Sequence, residues 1–205
     1  EETIEEVDPN AEIIEIESVG TKVAEGTIRN SVIAVSVASL FVMLYVLYAF
    51  RRLEKSHRFA FSAVLTLIHD VILVTGIYAM LGHLFGLQVN SVFIVALLTV
   101  IGYSVNDTIV IFDRIRENQI KFPDNNYAAN INISINESII RSLGTSLTTL
   151  LVLFSMLILG GASLREFIVV LILGVIVGTY SSIFIASQFL IIWEDGIKKN
   201  YPEFF

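Results

Sequence analysis

Cysteine is absent from this chain, and charged residues are scarce. Without cysteine neither a disulfide nor thiol chemistry is possible, so the sequence does not indicate a redox compartment. Charged residues make up 16% of the 205 positions, whereas a soluble domain has about 25%. Hydrophobic residues make up 55%, and this balance is typical of a membrane protein.

Patterns that would indicate common enzyme or nucleic-acid sites are also missing. No dense basic patch with interleaved aromatic residues occurs, so nucleic-acid binding has no support. No Walker A pattern predicts an ATP site, no His/Cys/Glu spacing predicts a metal site, and no cofactor is implied. The apolar segments contain no Gly-x-Ser nucleophile elbow. Any work done by this protein would therefore need another energy source, and proton flow across a membrane is a natural one.

What the sequence does contain is a set of long apolar runs. A transmembrane helix needs about 20 mostly apolar residues, and the sequence predicts five such helices. They span residues 28–50, 59–82, 89–112, 142–159 and 167–193. Five buried helices of a soluble protein are the alternative, which the length of the runs disfavours. The predicted fold class is therefore an all-α polytopic membrane protein.

The basic residues predict the orientation of this bundle. Ten of the 13 lysines and arginines lie in the connections after the first and third predicted helices or after the fifth, which leaves three on the opposite side. By the positive-inside rule, the N-terminal segment is extracytoplasmic and the C-terminus is cytoplasmic. We therefore expect a multi-pass protein of the cytoplasmic membrane, in contact with lipid.

The first 26 residues differ from the rest of the chain. Residues 12–20, EIIEIESVG, alternate isoleucine with glutamate as a half-buried strand does. A single strand does not fold alone, so we expect residues 1–26 to end an extracytoplasmic domain; a disordered acidic tail is the alternative. The chain starts at Glu1 without a signal-peptide pattern, and we expect a piece of a longer protein. The other predicted parts are a transmembrane bundle at 27–194 and a cytoplasmic tail at 195–205.

The predicted cytoplasmic connection, residues 113–141, contains signals of its own. Pro123 begins the turn sequence Pro-Asp-Asn-Asn. Ser134 and Glu137 fit a capping box, and apolar residues recur four apart from Ile135. The pattern predicts an interfacial helix that begins near Ser134 and leads into the fourth transmembrane helix.

Two carboxylates lie deep within the predicted transmembrane helices. Asp70 is about halfway along the second, beside His69, and Asp107 lies in the third. An unpaired aspartate at such a depth costs roughly 2.5–3.5 kcal/mol on insertion scales. Each must therefore find a partner, line a wet cavity or stay protonated. His69 is most simply explained as a hydrogen-bond partner of Asp70.

The third predicted helix has a polar face. Thr99, Tyr103 and Asp107 share one helical stripe, and Gly102 and Asn106 form an adjacent one. Polar and small residues of this kind face other helices in membrane bundles. We therefore expect this face to point into the bundle.

Arg141, at the start of the fourth predicted helix, is placed to reach toward the carboxylates, although Glu137 at i−4 could hold it at the surface. We interpret Asp107 as a group that takes and releases a proton, with Arg141 tuning its proton affinity by approaching or withdrawing. Asn106 and Asp70 are further candidates for this proton path. A structural polar cluster is the alternative, whereas an aspartic-protease dyad lacks any substrate-positioning motif.

Small residues recur four apart in the last predicted helix, at Gly174, Gly178, Ser182 and Ala186. Such a ridge permits close helix approach. We interpret Gly174 and Gly178, together with Gly102 in the third helix, as helix-packing positions.

Several segments resemble those of the SecF family, the membrane subunit of the SecD–SecF protein-export complex. Residues 100–118, VIGYSVNDTIVIFDRIREN, are similar to the family signature. The other similar segments, in order, are SVGTKVAEG (18–26), HDV (69–71), ESIIRSLGTSLTTLLV (137–152) and GVIVGTYSSIFIAS (174–187). The family usually has proline at the position of Thr21, a departure that lies away from the proposed proton site.

This resemblance implies a bundle of the resistance–nodulation–division type, in which the five predicted helices match the second to sixth of the family. It implies SecD as a partner, action beside the SecYEG channel, and an outer domain that pulls an unfolded secretory polypeptide as protons flow. In the family, the residues that match Asp107 and Arg141 belong to the proton path. A non-enzymatic, proton-driven export subunit is therefore expected. A proton-coupled small-molecule exporter of the same superfamily and a non-transporting scaffold are alternatives, and the coupling ion, H⁺ or Na⁺, is left open.

Overall fold

The computed structural model describes residues 21–51 and 56–195 of the chain. Its helices, numbered in chain order, are α1 (Thr21–Ala49), α2 (Ser56–Phe85), α3 (Ser91–Lys121), α4 (Tyr127–Leu159), α5 (Arg165–Ser181) and α6 (Ser187–Asp195). A 3-10 turn, Ala162–Leu164, precedes α5, and a π-helical segment, Ser182–Ala186, joins α5 directly to α6. The described residues contain no strand, and the strand predicted at 12–20 lies outside them.

The five predicted membrane-spanning helices are confirmed. Helices α1 to α4, and the continuous run from α5 to α6, are long and apolar enough to cross a membrane. Each overlaps one predicted span, but α2, α3 and α4 have 30, 31 and 33 residues, which corresponds to about 45–50 Å of helix. The hydrocarbon core of a bilayer is about 30 Å thick, so these helices tilt or extend beyond it.

The non-helical segment between α3 and α4 is short. Helix α3 continues to Lys121, a turn follows at Pro123 as predicted, and α4 already begins at Tyr127. The side chain of Asn126 caps α4 by accepting a hydrogen bond from the backbone N–H of Ala128. Both helices therefore run through most of the segment predicted as a connection.

The predicted capping box at Ser134 is wrong, because the helix predicted to begin there already begins at Tyr127; it continues without a break into the fourth span, as predicted. Ser134 lies inside α4, where its hydroxyl donates to the carbonyl of Asn130 at 2.6 Å. A serine inside a helix satisfies its hydroxyl by this bond to the preceding turn, so a capping pattern in the sequence does not always begin a helix. The amide of Asn118 on α3 also donates to Ser134 at 3.0 Å, which fixes this part of α4 against its neighbour.

Helices α3 and α5 form the centre of the bundle. They contain the largest shares of buried residues and pack most extensively on each other. A Cβ at Gly178 would lie 2.9 Å from Cβ of Ser104, and one at Gly174 would overlap the side chain of Val100. A Cβ at Gly102 would meet no atom within 4 Å among the described residues, so its packing role stays a prediction.

Candidate functional site

Asp107 lies where α3 faces α4 and is 8% exposed. The hydroxyl of Ser142 on α4 donates to its Oδ1 at 2.7 Å. Its Oδ2 is buried and has no hydrogen-bond partner among the described residues. A buried oxygen of an ionised carboxylate is unfavourable without a donor. Oδ2 is therefore the atom at which a proton, a cation or water would bind.

Further hydroxyl groups join three helices beside this carboxyl group. The hydroxyl of Ser146, one turn after Ser142, lies 2.5 Å from that of Thr179 on α5 and accepts a hydrogen bond from Tyr103 of α3 at 3.2 Å. Tyr103 and Asp107, which the sequence placed on one stripe, thus both contact serines of α4. The site is a polar contact between α3, α4 and α5.

Four buried serines of α4 lie on the face of this helix that contacts α3, and the capping pattern at Ser134 gave no indication of that face. They recur four apart and are each at most 5% exposed: Ser134, Ser138, Ser142 and Ser146. This spacing places them on one helix face, and it is the signal that would have identified the face in contact with Asp107. Three of them donate to the carbonyl four residues earlier, whereas Ser142 donates to a side chain on α3.

Asp70, on α2, anchors a second polar cluster and is 2% exposed. Ser104 donates to its Oδ2 at 2.5 Å, and Nδ1 of His69 lies 3.1 Å from its Oδ1, a contact that the sequence predicted. The carbonyl of Ser104 accepts hydrogen bonds from Thr108 at 3.0 Å and from Ser182 at 3.2 Å. Both oxygens of Asp70 are thus engaged, and its cluster reaches the π-helical segment.

The two aspartates are bound by different residues. Across the described part of the chain, no hydrogen bond joins Asp70 to Asp107, and each binds a different serine. An aspartic-protease pair shares one proton between adjacent carboxyl groups. The same residues also include no group of three or more His, Asp or Glu side chains that could hold a metal ion.

Arg141 is exposed on α4, directly before Ser142. Its side chain forms no hydrogen bond or ion pair with any described residue, and Glu137 does not hold it. Glu137 is instead bound by α3, because Nε of Arg114 donates to its carboxylate at 2.7 Å and Nδ2 of Asn118 donates at 2.8 Å. The sequence spacing along α4 could not reveal this competing contact from another helix.

A polar cleft of about 210 Å³ opens between α3 and α4 beside Arg141. Its lining includes Val110 and Asp113 from α3 and Glu137 and Ser138 from α4. Ser138 lies one helical turn before Ser142, which binds Asp107. The cleft therefore ends about one turn from the buried carboxyl group.

Asn106 lies on an exposed face of α3 and has no side-chain hydrogen bond to the described residues. Thr99 and Gly102 are exposed there too, and on α4 the exposed Thr145 and Thr148 bond only to carbonyls of their own helix. An amide side chain that faces lipid without a hydrogen-bond partner is energetically unfavourable. Small and polar residues are instead typical of contacts between transmembrane helices. These faces are suited to a partner membrane protein.

Comparisons with known proteins agree on one family. The family model for the protein export membrane protein SecD/SecF, C-terminal, matches residues 1–196. Protein translocase subunit SecF of Thermobaculum terrenum is 40% identical over 199 residues, which cover 95% of this chain and 63% of that protein. SecF of Anaerolinea thermophila is 40% identical over 190 residues, which cover 92% of this chain and 62% of that protein. The chain thus spans about six-tenths of the length of these relatives.

Fused SecDF proteins are similar in both sequence and structure. Protein translocase subunit SecDF of Thermus thermophilus is 41% identical over 190 residues, covering 93% of this chain and 25% of that protein. The crystal structure of SecDF in its super-membrane-facing form matches with a TM-score of 0.77 and 37% identity, covering 95% of this chain and 25% of that one. The predicted all-α bundle of this family's type is therefore confirmed.

Proposed function

We propose, on the premise that this chain belongs to the SecD/SecF family of protein-export membrane proteins, that it forms the membrane part of a Sec export subunit driven by the proton-motive force. The observation that carries the proposal is the buried Oδ2 of Asp107, which lacks a donor among the described residues although Ser142 binds the other oxygen. The proposed function is translocation and not catalysis of a chemical reaction.

The proposed working step is a change in the ionisation of Asp107. When the carboxyl group is protonated it is neutral, and its position between α3 and α4 needs no cation. When it is ionised, Oδ2 requires a cation or water. Arg141 can supply that cation, because its side chain is free of ion pairs with the described residues. Proton binding would then be coupled to the position of Arg141 and of α4.

The proton-motive force provides energy on the scale that this step requires. One charge that crosses a potential of 100 mV releases about 2.3 kcal/mol. A hydrogen bond to a charged group contributes about 1.5–3 kcal/mol. One proton can therefore offset the loss of one such contact at Asp107, which is enough to favour one arrangement of α3 and α4 over another.

Asp70 and Asn106 have supporting roles in the proposed path. Asp70 has partners on both oxygens and holds Ser104, the residue on which α3 and α5 approach each other. Asn106 is adjacent to Asp107 in sequence but points to an exposed face. We assign it to the surface that a partner subunit covers.

The proposed membrane partner is SecD. In Thermus thermophilus a single SecDF chain contains the segment similar to this one, and 93% of this chain corresponds to 25% of that protein. The polar faces of α3 and α4 would lie against SecD and not against lipid. We further propose the SecYEG channel and an unfolded secretory polypeptide as partners, the latter through an extracytoplasmic domain. The proposed orientation follows the positive-inside rule, with the cleft beside Arg141 open to the cytoplasm.

Replacement of Asp107 by Asn tests the proposal, because the side chain keeps its shape and loses its titration. In inverted membrane vesicles that contain the variant SecD–SecF complex, we expect proton-stimulated translocation of a secretory precursor to be lost. Translocation without a proton gradient should be unchanged. Asp124→Asn is the matched control, since Asp124 is exposed in the turn after α3 and does not line the cleft. Full proton stimulation with Asp107→Asn would favour a packing scaffold instead.

A further inference from the structure

Glu137 is spaced to bind Arg141 but is held by another helix. The two residues are four apart on α4, with the glutamate nearer the N-terminus, the order that favours an ion pair on an exposed helix. The carboxylate of Glu137 instead accepts hydrogen bonds from Nε of Arg114 at 2.7 Å and from Nδ2 of Asn118 at 2.8 Å. Both donors belong to α3.

These donors are themselves fixed in place. Asn118 is 1% exposed, and its amide also donates to Ser134 at 3.0 Å. Arg114 also donates from Nη1 to Glu117 at 2.5 Å. Because Arg114 and Asn118 each have a second partner, neither can keep its hydrogen bond to Glu137 if that carboxylate turns toward Arg141. We call Arg114, Asn118 and Glu137 the α3 brace.

The brace lies close enough to Arg141 for this competition to matter. Arg114, Glu117, Glu137 and Arg141 all line the same cleft of about 210 Å³. A carboxylate released from the brace would therefore share this small space with Arg141. That arginine has no ion pair with the described residues, so no existing ion pair among them would have to break before Glu137 bound it.

We infer that Arg114 and Asn118 are positioning residues for the proton site: they hold Glu137 against α3 and so keep Arg141 available to Asp107. This inference rests on the proposed function, because it gives Arg141 its role. It requires that damage to the brace acts through the carboxylate of Glu137 and not through a general loss of structure.

Arg114→Met is the first test, measured as proton-stimulated translocation by the complete SecD–SecF complex in inverted vesicles. Loss of Arg114 should release Glu137 to Arg141 and lower proton stimulation about two- to fivefold, the factor that corresponds to a typical exposed ion pair. Arg116→Met is the matched control, because Arg116 binds Asp113 and no member of the brace. An unchanged activity of Arg114→Met would overturn the inference.

The decisive measurement is rescue. Glu137→Gln added to Arg114→Met should restore proton stimulation, because an amide does not capture Arg141. Glu117→Gln removes the other acid that Arg114 binds and should not restore it. Glu137→Gln alone should behave like the wild type. Failure of Glu137→Gln to rescue, or equal rescue by Glu117→Gln, contradicts the proposed role of Glu137.

Asn118→Ala tests the second donor and should be rescued by Glu137→Gln in the same way. Since Asn118 is buried, this variant can fail to fold, in which case the Arg114 series decides. Asp107→Asn is measured in parallel. If Asp107→Asn abolishes proton stimulation while the brace variants have no effect, the inference fails and the proposed function stands. If Asp107→Asn has no effect, the proposed function fails.

Discussion

The hydroxyl of Ser142 on α4 donates a 2.7 Å hydrogen bond to Oδ1 of Asp107 on α3. Among the described residues this is the one donor that the carboxyl group receives. Arg141 directly precedes Ser142 in the chain. Ser142 binds Asp107, and Arg141 is proposed to respond to the charge of Asp107. Both residues therefore lie on the same turn of α4. We therefore predict that a change in the ionisation of Asp107 moves that turn of α4.

Ser142→Ala should change the proton affinity of Asp107. A hydrogen bond to a charged group contributes about 1.5–3 kcal/mol, which corresponds to a factor of about ten or more in an equilibrium constant. We expect the pH dependence of proton-stimulated translocation to shift in Ser142→Ala and to be largely retained in Ser142→Thr, which keeps a hydroxyl group. Ser155→Ala is the control, because Ser155 donates to the carbonyl of Leu151 and does not line the cleft. An identical pH profile for Ser142→Ala and the wild type would contradict this prediction.

Gly174→Ala should destabilise the bundle. Its Cβ would overlap Val100, which is 2% exposed at the contact between α3 and α5, and overpacking of this kind typically costs about 1–3 kcal/mol. We expect a lower thermal unfolding midpoint for the purified complex in detergent, with partial recovery when Val100→Ala is added. Gly76→Ala, on α2, should not lower the midpoint, because no described atom lies within 4 Å of the added carbon. Equal unfolding midpoints for the two glycine variants would show that the close contact between α3 and α5 at Gly174 does not determine the stability of the bundle.

The parts of the fold that the sequence predicted depend on short-range patterns. The five spans follow from run length. The choice of Asp107 as a candidate follows from the cost of an acid in lipid and stays a prediction. The small residues at Gly174 and Gly178 indicated a close approach, and both lie against α3. Each of these features is a property of one helix, which a single sequence contains.

The features that the sequence missed depend on which helices pack against each other. Ser134 has the pattern of a helix cap, yet its hydroxyl bonds within α4 and its neighbour Asn118 comes from α3. Glu137 is spaced for Arg141, yet Arg114 binds it across the helix contact. A single sequence gives the candidates for each contact but does not rank partners on different helices, because that ranking depends on packing.

Asp70→Asn should have a smaller effect on proton coupling than Asp107→Asn. The carbonyl oxygen of an Asn at this position can still accept the hydrogen bond from Ser104, so the cluster around Ser104 and the contact with α5 should be kept. We expect proton uptake, followed with a pH-sensitive dye in vesicles, to be reduced in part by Asp70→Asn and abolished by Asp107→Asn. Equal loss in the two variants would mean that Asp70 also changes its ionisation during the cycle.

The cleft beside Arg141 can be tested by cysteine labelling, because this chain contains no cysteine of its own. Val110 is half-buried and lines the cleft, three residues or about 4.5 Å of helix rise from Asp107. Val110→Cys should support proton-stimulated translocation until a charged, membrane-impermeant thiol reagent is added, because the adduct then blocks access of water to Asp107. Ile140→Cys is the control, since Ile140 is 81% exposed and does not line the cleft.

The side from which the reagent acts tests the proposed orientation at the same time. In inverted vesicles, which expose the cytoplasmic face, Val110→Cys should react and lose proton stimulation. In spheroplasts, which expose the outer face, it should be protected. Reaction from the outer face would reverse the orientation inferred from the basic residues. If Val110→Cys is labelled and translocation is unaffected, protons reach Asp107 by another route. The bulky adduct would then fill the cleft while the carboxyl group of Asp107 still exchanged its proton.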